Sequence, residues 1–186
     1  MKELIYWLAF SVSGAGSSDL LKLRKEHGSM ERAWRVGLSG GLYGLPKEVT
    51  KKLGSIKPSE EWEKLEAEGI QLMNFDDNEF PQLLREVYNP PALLYTIGKR
   101  SVLKETLVAV VGTRKASFYG EKVTRKIVSE ICPAGLVVVS GMAYGIDTIA
   151  HEAALAVGGK TIGVAAFGLN QIPWSTDRLA KRIIAD

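Results

Sequence analysis

Two apolar runs that each end in glycine constrain this chain more than any other feature: Val108-Ala109-Val110-Val111-Gly112-Thr113-Arg114 and Val137-Val138-Val139-Ser140-Gly141-Met142-Ala143-Tyr144-Gly145-Ile146-Asp147. Near-continuous β-branched runs without polar alternation belong to parallel strands buried on both faces. The spacing predicts strands over 107–111, 136–139 and 161–166. Helices are predicted over 120–131, with Val123, Ile127 and Ile131 on one face, and over 146–157 and 176–184. Strands alternating with amphipathic helices define an α/β, Rossmann-like, doubly wound parallel sheet. The pattern stops where a further strand would normally follow, so the sheet is expected to be incomplete.

The first sixty residues follow a different rule. Leu4, Ile5 and Leu8 share a helical face, then Leu20, Leu21 and Leu23, then Ala33 and Trp34, then Val49 and Leu53, with glycine-rich breaks between. This predicts a small N-terminal helical domain over 1–59, SAM-like or helix-hairpin-helix-like, ahead of an α/β region over 60–186. Gly14-Ala15-Gly16 has two readings: a hairpin whose backbone amides hold a nucleic-acid phosphate, or a plain tight connection between packed helices. Between 60 and 106 the pattern predicts a charged helix over 60–68, a strand over 70–75, a helix opening near Pro81, and a strand over 92–97.

Composition narrows the class. Of 186 residues, 46% are hydrophobic and 24% charged, as in an ordinary globular chain. The net charge of +3 is uneven: residues 1–106 hold 15 Lys and Arg against 15 Asp and Glu, whereas 107–186 hold 9 against 6. The excess lies with the glycine turns, where it is compatible with a phosphate-bearing partner. One cysteine, Cys132, excludes an internal disulfide and a cysteine-based zinc site, which points to a reducing cytoplasm. Lys2, the apolar stretch 4–10 and the small residues 13–16 imitate a secretion leader, but Glu3 and the shortness of the stretch count against one. No run reaches the roughly 18 apolar residues of a membrane span.

Candidate site residues cluster at the strand ends, where open parallel sheets bind ligands. Gly112 stands alone, so neither GxGxxG nor a GxxxxGK[ST] loop is present, and a standard NAD or ATP site is excluded. Thr113 offers a hydroxyl, and Arg114 either a planar fork for phosphate oxygens or for stacking on a base, or a solvated loop charge. Ser140, Gly141, Met142, Ala143 and Gly145 precede a helix start, a ready anion site. Asp147 reads as a cap or a catalytic carboxylate, and His151 as a structural or a catalytic imidazole. Lys160 is a phosphate contact or an ordinary turn lysine. Phe167 and Trp174 are candidates for base stacking or for packing at the sheet rim.

Taken together, Val111-Gly112-Thr113-Arg114 with Tyr119-Gly120, Ser140 through Asp147 with Ala150-His151, and Gly158-Gly159-Lys160-Thr161-Ile162 closely resemble the bacterial DNA-processing protein A (DprA/Smf) family. Asn89-Pro90-Pro91-Ala92-Leu93-Leu94-Tyr95, Gly98 and the Gly14–Gly16 start extend the resemblance along the whole chain. It implies a cytoplasmic single-stranded DNA-binding protein that protects incoming DNA and loads the RecA recombinase in natural transformation, with no catalysis, cofactor or metal. A homodimer belongs to the same expectation. By resemblance, Gly112, Thr113 and Arg114 line the DNA pocket with Ser140, Gly141 and Ala143. Two departures stand out. Where the family commonly shows Tyr-Pro followed by Asn, this chain has Ile172-Pro173-Trp174-Ser175-Thr176, and it stops at Asp186 where relatives continue. The sequence therefore reads as a fragment or a short form. The competing reading is a Rossmann-like nucleotide-binding protein or a nucleoside-monophosphate N-glycosidase, whose Pro-Gly-Gly-x-Gly-Thr-x-x-Glu stretch is missing here.

Overall fold

The computed structural model describes residues 3–185, apart from the side chain of Trp174. Lys2, part of the leader-like start, lies outside them. The chain forms two compact units, Met1–Thr96 and Ile97–Asp186.

The first unit opens with α1 (Leu4–Ser13), which stops at Gly14 in the left-handed conformation, φ 101°. The amides of Gly14 and Ala15 close back onto α1 carbonyls, and the Gly16 amide donates to Asp19 Oδ2 at 3.0 Å at the start of α2 (Ser17–His27). All three amides of Gly14-Ala15-Gly16 are thus used within the chain, which is the geometry of a plain helix connection.

Helices α3 (Met30–Leu38) and α4 (Lys47–Leu53) complete a core of Trp7, Phe10, Met30, Trp34, Val49 and Leu53. Phe10 meets Trp34 edge to face, with centroids 5.1 Å apart. Helix α5 (Pro58–Ala67) starts on a proline, whose missing amide costs nothing in a first turn, and packs on α1. The leader-like stretch is therefore the buried centre of this unit.

Strand β1 (Gln71–Asn74) pairs antiparallel with β2 (Leu93–Thr96), and the short helix α6 (Gln82–Arg85) lies in the loop between them. Ala92 explains why the compact division falls at Thr96/Ile97 and not at the expected 59/60. It is fully buried in the helical core, and its amide donates to Ser17 Oγ at 3.2 Å, so the β1–β2 ladder packs with the helices.

In the second unit, β3 (Leu107–Ala109), α7 (Phe118–Ile131), β4 (Val137–Gly141), α8 (Ile146–Ala156), β5 (Thr161–Val164) and α9 (Trp174–Ala185) alternate as predicted. The strands are parallel in the order β3-β4-β5, with Val108, Val138 and Thr161 in register. The crossover helices α7 and α8 pack together on one face of the sheet, as expected for connections of one hand between consecutively ordered parallel strands. Helix α9 joins them: Ile183 approaches Gly163, which shares a face with Thr161. The described strands thus show one wing of a Rossmann-like sheet, covered by helices on one face.

The core of this unit is Val128, Cys132, Val138, Ala150, Ala153 and Ala154. Helix α7 buries Thr124 and Val128 while Ile127 is exposed, so its inner face is rotated from the predicted Val123, Ile127, Ile131 stripe. Ile131 still packs on the core. The small alanines of α8 let α7 approach closely, and Thr124 fits the contact by returning its hydroxyl to the Gly120 carbonyl at 2.8 Å. Among the described residues no helix is long and apolar enough to cross a membrane.

Candidate functional site

The carboxyl ends of β3 and β4 run into two turns that are locked together. The Val110 amide donates to the Val139 carbonyl at 2.9 Å, which extends the pairing past the end of β3. Ser140 returns the tie: its buried hydroxyl donates to the Val110 carbonyl at 2.5 Å. Beyond it, the Ile146 amide at the head of α8 donates to the Thr113 carbonyl at 3.1 Å.

Glycine is required at two points of this junction, Gly112 and Gly145, and at Gly141 it lets a carboxylate tip approach; in each case the neighbour is the protein itself. A Cβ on Gly112 would stand 2.6 Å from Ile146 Cγ1, and one on Gly141 would stand 2.6 Å from Asp147 Oδ2. Gly145, with φ +82°, leaves only 2.2 Å to the Thr113 carbonyl oxygen. The lack of side chains was expected to let a ligand approach; the structure uses it to press the second turn onto the first.

The first turn is the open one. Residues 111–115 are exposed, and the Lys115 amide donates to Thr113 Oγ1 at 3.2 Å, a local turn that holds the hydroxyl at the rim. Ser117 caps α7 by accepting the Gly120 amide at 3.1 Å. Among the described residues, neither Arg114 nor Lys115 forms a salt bridge, a state they share with Lys104, Lys122, Lys126, Arg178 and Arg182 of the unit, while other cations of the unit are paired. Arg125 pairs with Glu121 and Glu152, Lys160 with Glu105, and Lys181 with Asp177. Two uncommitted cations and a hydroxyl on one short loop form an anion-receptive edge.

The second turn contributes less to an anion than the sequence suggests. Asp147 sits in the first turn of α8 with its carboxylate against Gly141, so the positive end of that helix already faces a negative charge. Gly145, not Asp147, is the cap residue. Ala143 is half-buried and its carbonyl accepts the Thr148 hydroxyl at 2.8 Å, while Met142 lays its sulfur over Gly163. Ser140 is consumed by its bond to Val110.

His151 is fully buried, with Nε2 2.9 Å from the Gly141 carbonyl and Nδ1 2.7 Å from Thr161 Oγ1. Burial pushes its pKa below the usual 6.5, partly countered by the Gly141 carbonyl and the Asp147 carboxylate. A neutral, fully packed ring is a structural clamp, not a solvent-facing base.

Lys160 does not join the edge. It precedes β5 at the amino ends of the strands, opposite the turns, and binds both carboxylate oxygens of Glu105 at 2.7 and 3.0 Å. Phe167 is half-buried; the Trp174 ring lies outside the described side chains. Lys115 and the exposed rings of Phe118, Tyr119 and Tyr144 were not among the predicted site residues. Their signal was available in the polar, glycine-flanked context that leaves an aromatic side chain nothing to pack against. Among the described residues no group of three or more His, Cys, Asp or Glu side chains is arranged to hold a metal.

Parallel strands running into paired turns at their carboxyl ends define the class as a Rossmann-like α/β protein. The DNA recombination-mediator protein A family matches residues 71–186, and the chain belongs to that family. Protein Smf of Synechocystis is 33% identical over 99% of this chain and 49% of its own length. The DNA processing protein DprA of Bacillus subtilis is 39% identical over 56% of this chain and 36% of its own. The chain therefore spans half or less of these relatives. The X-ray structure of DprA from Streptococcus pneumoniae superposes with a TM-score of 0.80 at 30% identity, covering 96% of this chain and 64% of that one. DNA processing protein A from Helicobacter pylori, which binds single-stranded DNA, superposes over 63% of this chain and 53% of its own with a TM-score of 0.54 at 29% identity.

Proposed function

We propose that this chain binds single-stranded DNA in recombination and natural transformation, and that the loop carrying Thr113, Arg114 and Lys115 holds the phosphates. The observation that carries the proposal is the pair of exposed cations without carboxylate partners, at the carboxyl ends of parallel strands. Phosphate contacts of this kind are independent of sequence and supply most of the affinity of general DNA binding. The single-stranded DNA binding of the Helicobacter pylori relative supports the choice of ligand.

In this reading the protein is a binding module and not an enzyme. Its deepest polar side chain at the edge, Ser140, is tied to the Val110 carbonyl, and its histidine is enclosed. A cytoplasmic location, the RecA recombinase as partner and a homodimer follow from the same reading. Each has its own test: cell fractionation, co-sedimentation with RecA, and sedimentation equilibrium of the chain.

The decisive measurement is fluorescence anisotropy of a labelled oligo-dT and a matched duplex, titrated with the chain at several salt concentrations. Salt-dependent preference for the single strand is the expected result. A soluble, folded chain that binds neither would overturn the proposal.

A further inference from the structure

We infer that Phe118, Tyr119 and Tyr144 form a stacking platform for unpaired bases beside the Arg114 loop. The inference rests on the single-stranded DNA reading and adds to it the part of the ligand that gives strand selectivity. Phosphates are present in duplex and single strand alike, whereas only unpaired bases offer free faces to an aromatic ring.

The three rings are left in solvent at 85%, 76% and 61% of their full exposure. The first unit also exposes aromatics, Tyr43 at 87% and Tyr88 at 105%, but these stand 45 residues apart in the chain. Scattered exposed apolar residues are ordinary on a protein surface; three aromatics at one junction are not.

Ile146 is the point where the segments meet. A Cβ on Gly112 would touch its Cγ1, and a Cβ on Gly120 would lie 3.7 Å from its Cδ1. Tyr144 is two residues before Ile146 in the chain, and Phe118 and Tyr119 immediately precede Gly120. The loop with Arg114 and Lys115 connects Gly112 to Ser117. The three residues thus flank the same junction as the loop cations Arg114 and Lys115, on rigid supports: Phe118 and Tyr119 in the first turn of a helix capped by Ser117, and Tyr144 next to Gly145, whose backbone presses on Thr113. Cationic groups that grip a backbone, beside aromatic faces that receive bases, are the two components of single-strand recognition.

The test compares a labelled oligo-dT with an oligomer of equal length and charge in which the bases are replaced by abasic residues. Wild-type chain and the Phe118→Leu, Tyr119→Leu and Tyr144→Leu variants are titrated against both, and far-UV circular dichroism confirms that each variant folds. Leucine keeps the apolar character and removes the flat face. The wild type is expected to bind oligo-dT at least tenfold more tightly than the abasic strand. Each variant should lose about tenfold on oligo-dT, with little change on the abasic strand.

Variants that bind oligo-dT like the wild type would overturn the platform while leaving the single-stranded DNA reading intact, as would a wild type that binds both strands equally. A wild type that binds neither sinks both readings together. Should the variants alter self-association in sedimentation velocity with DNA binding unchanged, the rings are a contact between copies of the chain and the platform is rejected.

Discussion

The Nε2–H of His151 donates to the carbonyl oxygen of Gly141 at 2.9 Å, so a buried ring in α8 fixes the last peptide of β4. A carbonyl only accepts, which places the proton on Nε2. In the neutral ring Nδ1 then accepts from the Thr161 hydroxyl, 2.7 Å away. Protonation reverses that bond: Nδ1–H donates to Thr161 Oγ1, whose own proton turns to the Val138 carbonyl at 2.9 Å.

Burial lowers the His151 pKa in the folded state, so the unfolded chain binds the proton first as the pH falls. The stabilisation is fully present above the ordinary value of 6.5 and declines below it, by up to about 1.4 kcal/mol per pH unit, until the folded-state ring also protonates. Urea denaturation of the wild type and His151→Gln between pH 7.5 and 5.5 checks this. The wild type should lose stability more steeply than the variant over that range; parallel profiles would show that the ring does not titrate as argued.

Gly145→Ala tests the lock between the two turns. The methyl group enters a left-handed backbone conformation and meets the Thr113 carbonyl oxygen at 2.2 Å. Backbone cannot move aside as a side-chain tip does, so the expected cost is about 2 kcal/mol or more. Thermal unfolding reads it directly. Gly135→Ala separates conformation from crowding, because Gly135 also has positive φ but nothing near its missing Cβ. It should lose less than Gly145→Ala, and equal losses would mean that the contact with Thr113 contributes nothing.

Much of this was legible in the sequence, for reasons that particular residues make plain. The strands and helices of the second unit were visible because β-branched runs and helical periodicity are local signals, and every predicted element there exists within a few residues. The inner face of α7 was not, because Val128 and Ile127 are adjacent and equally apolar; only the approach of α8 decides which is buried. The turn glycines are plain in the sequence, but their neighbours Ile146, Asp147 and Thr113 are not, because spacing does not show which residues pack against them. Lys160 lies at the amino ends of the strands, which the motif does not reveal, because proximity in sequence says nothing of which end of the sheet a residue occupies. Ala92 drew the first compact unit beyond the expected boundary because its partner, Ser17, is remote along the chain.

Lys160→Ala is expected to leave DNA affinity unchanged within about twofold, since the lysine lies at the amino ends of the strands and is already paired with Glu105. Both partners are substantially solvated, so the ion pair contributes at most about 1 kcal/mol. Anisotropy with oligo-dT, alongside a urea midpoint, gives both quantities. A tenfold loss of affinity with unchanged stability would return Lys160 to the binding surface.

Arg114→Ala should weaken binding of oligo-dT and oligo-dA alike, because the contact is to phosphate and not to a base. Each phosphate contact to a single strand releases condensed counterions, so removing one should lower the slope of log K against log salt by about 0.7. Arg114→Lys retains the charge but not the planar fork. It should restore most of the slope while recovering only part of the affinity at fixed salt, since a compact ammonium does not make the bidentate contact. The two variants separate charge from geometry. If Arg114→Ala loses affinity with an unaltered slope, the guanidinium acts on the bases and not on the backbone, and the phosphate role passes to Lys115, the other free cation of the loop.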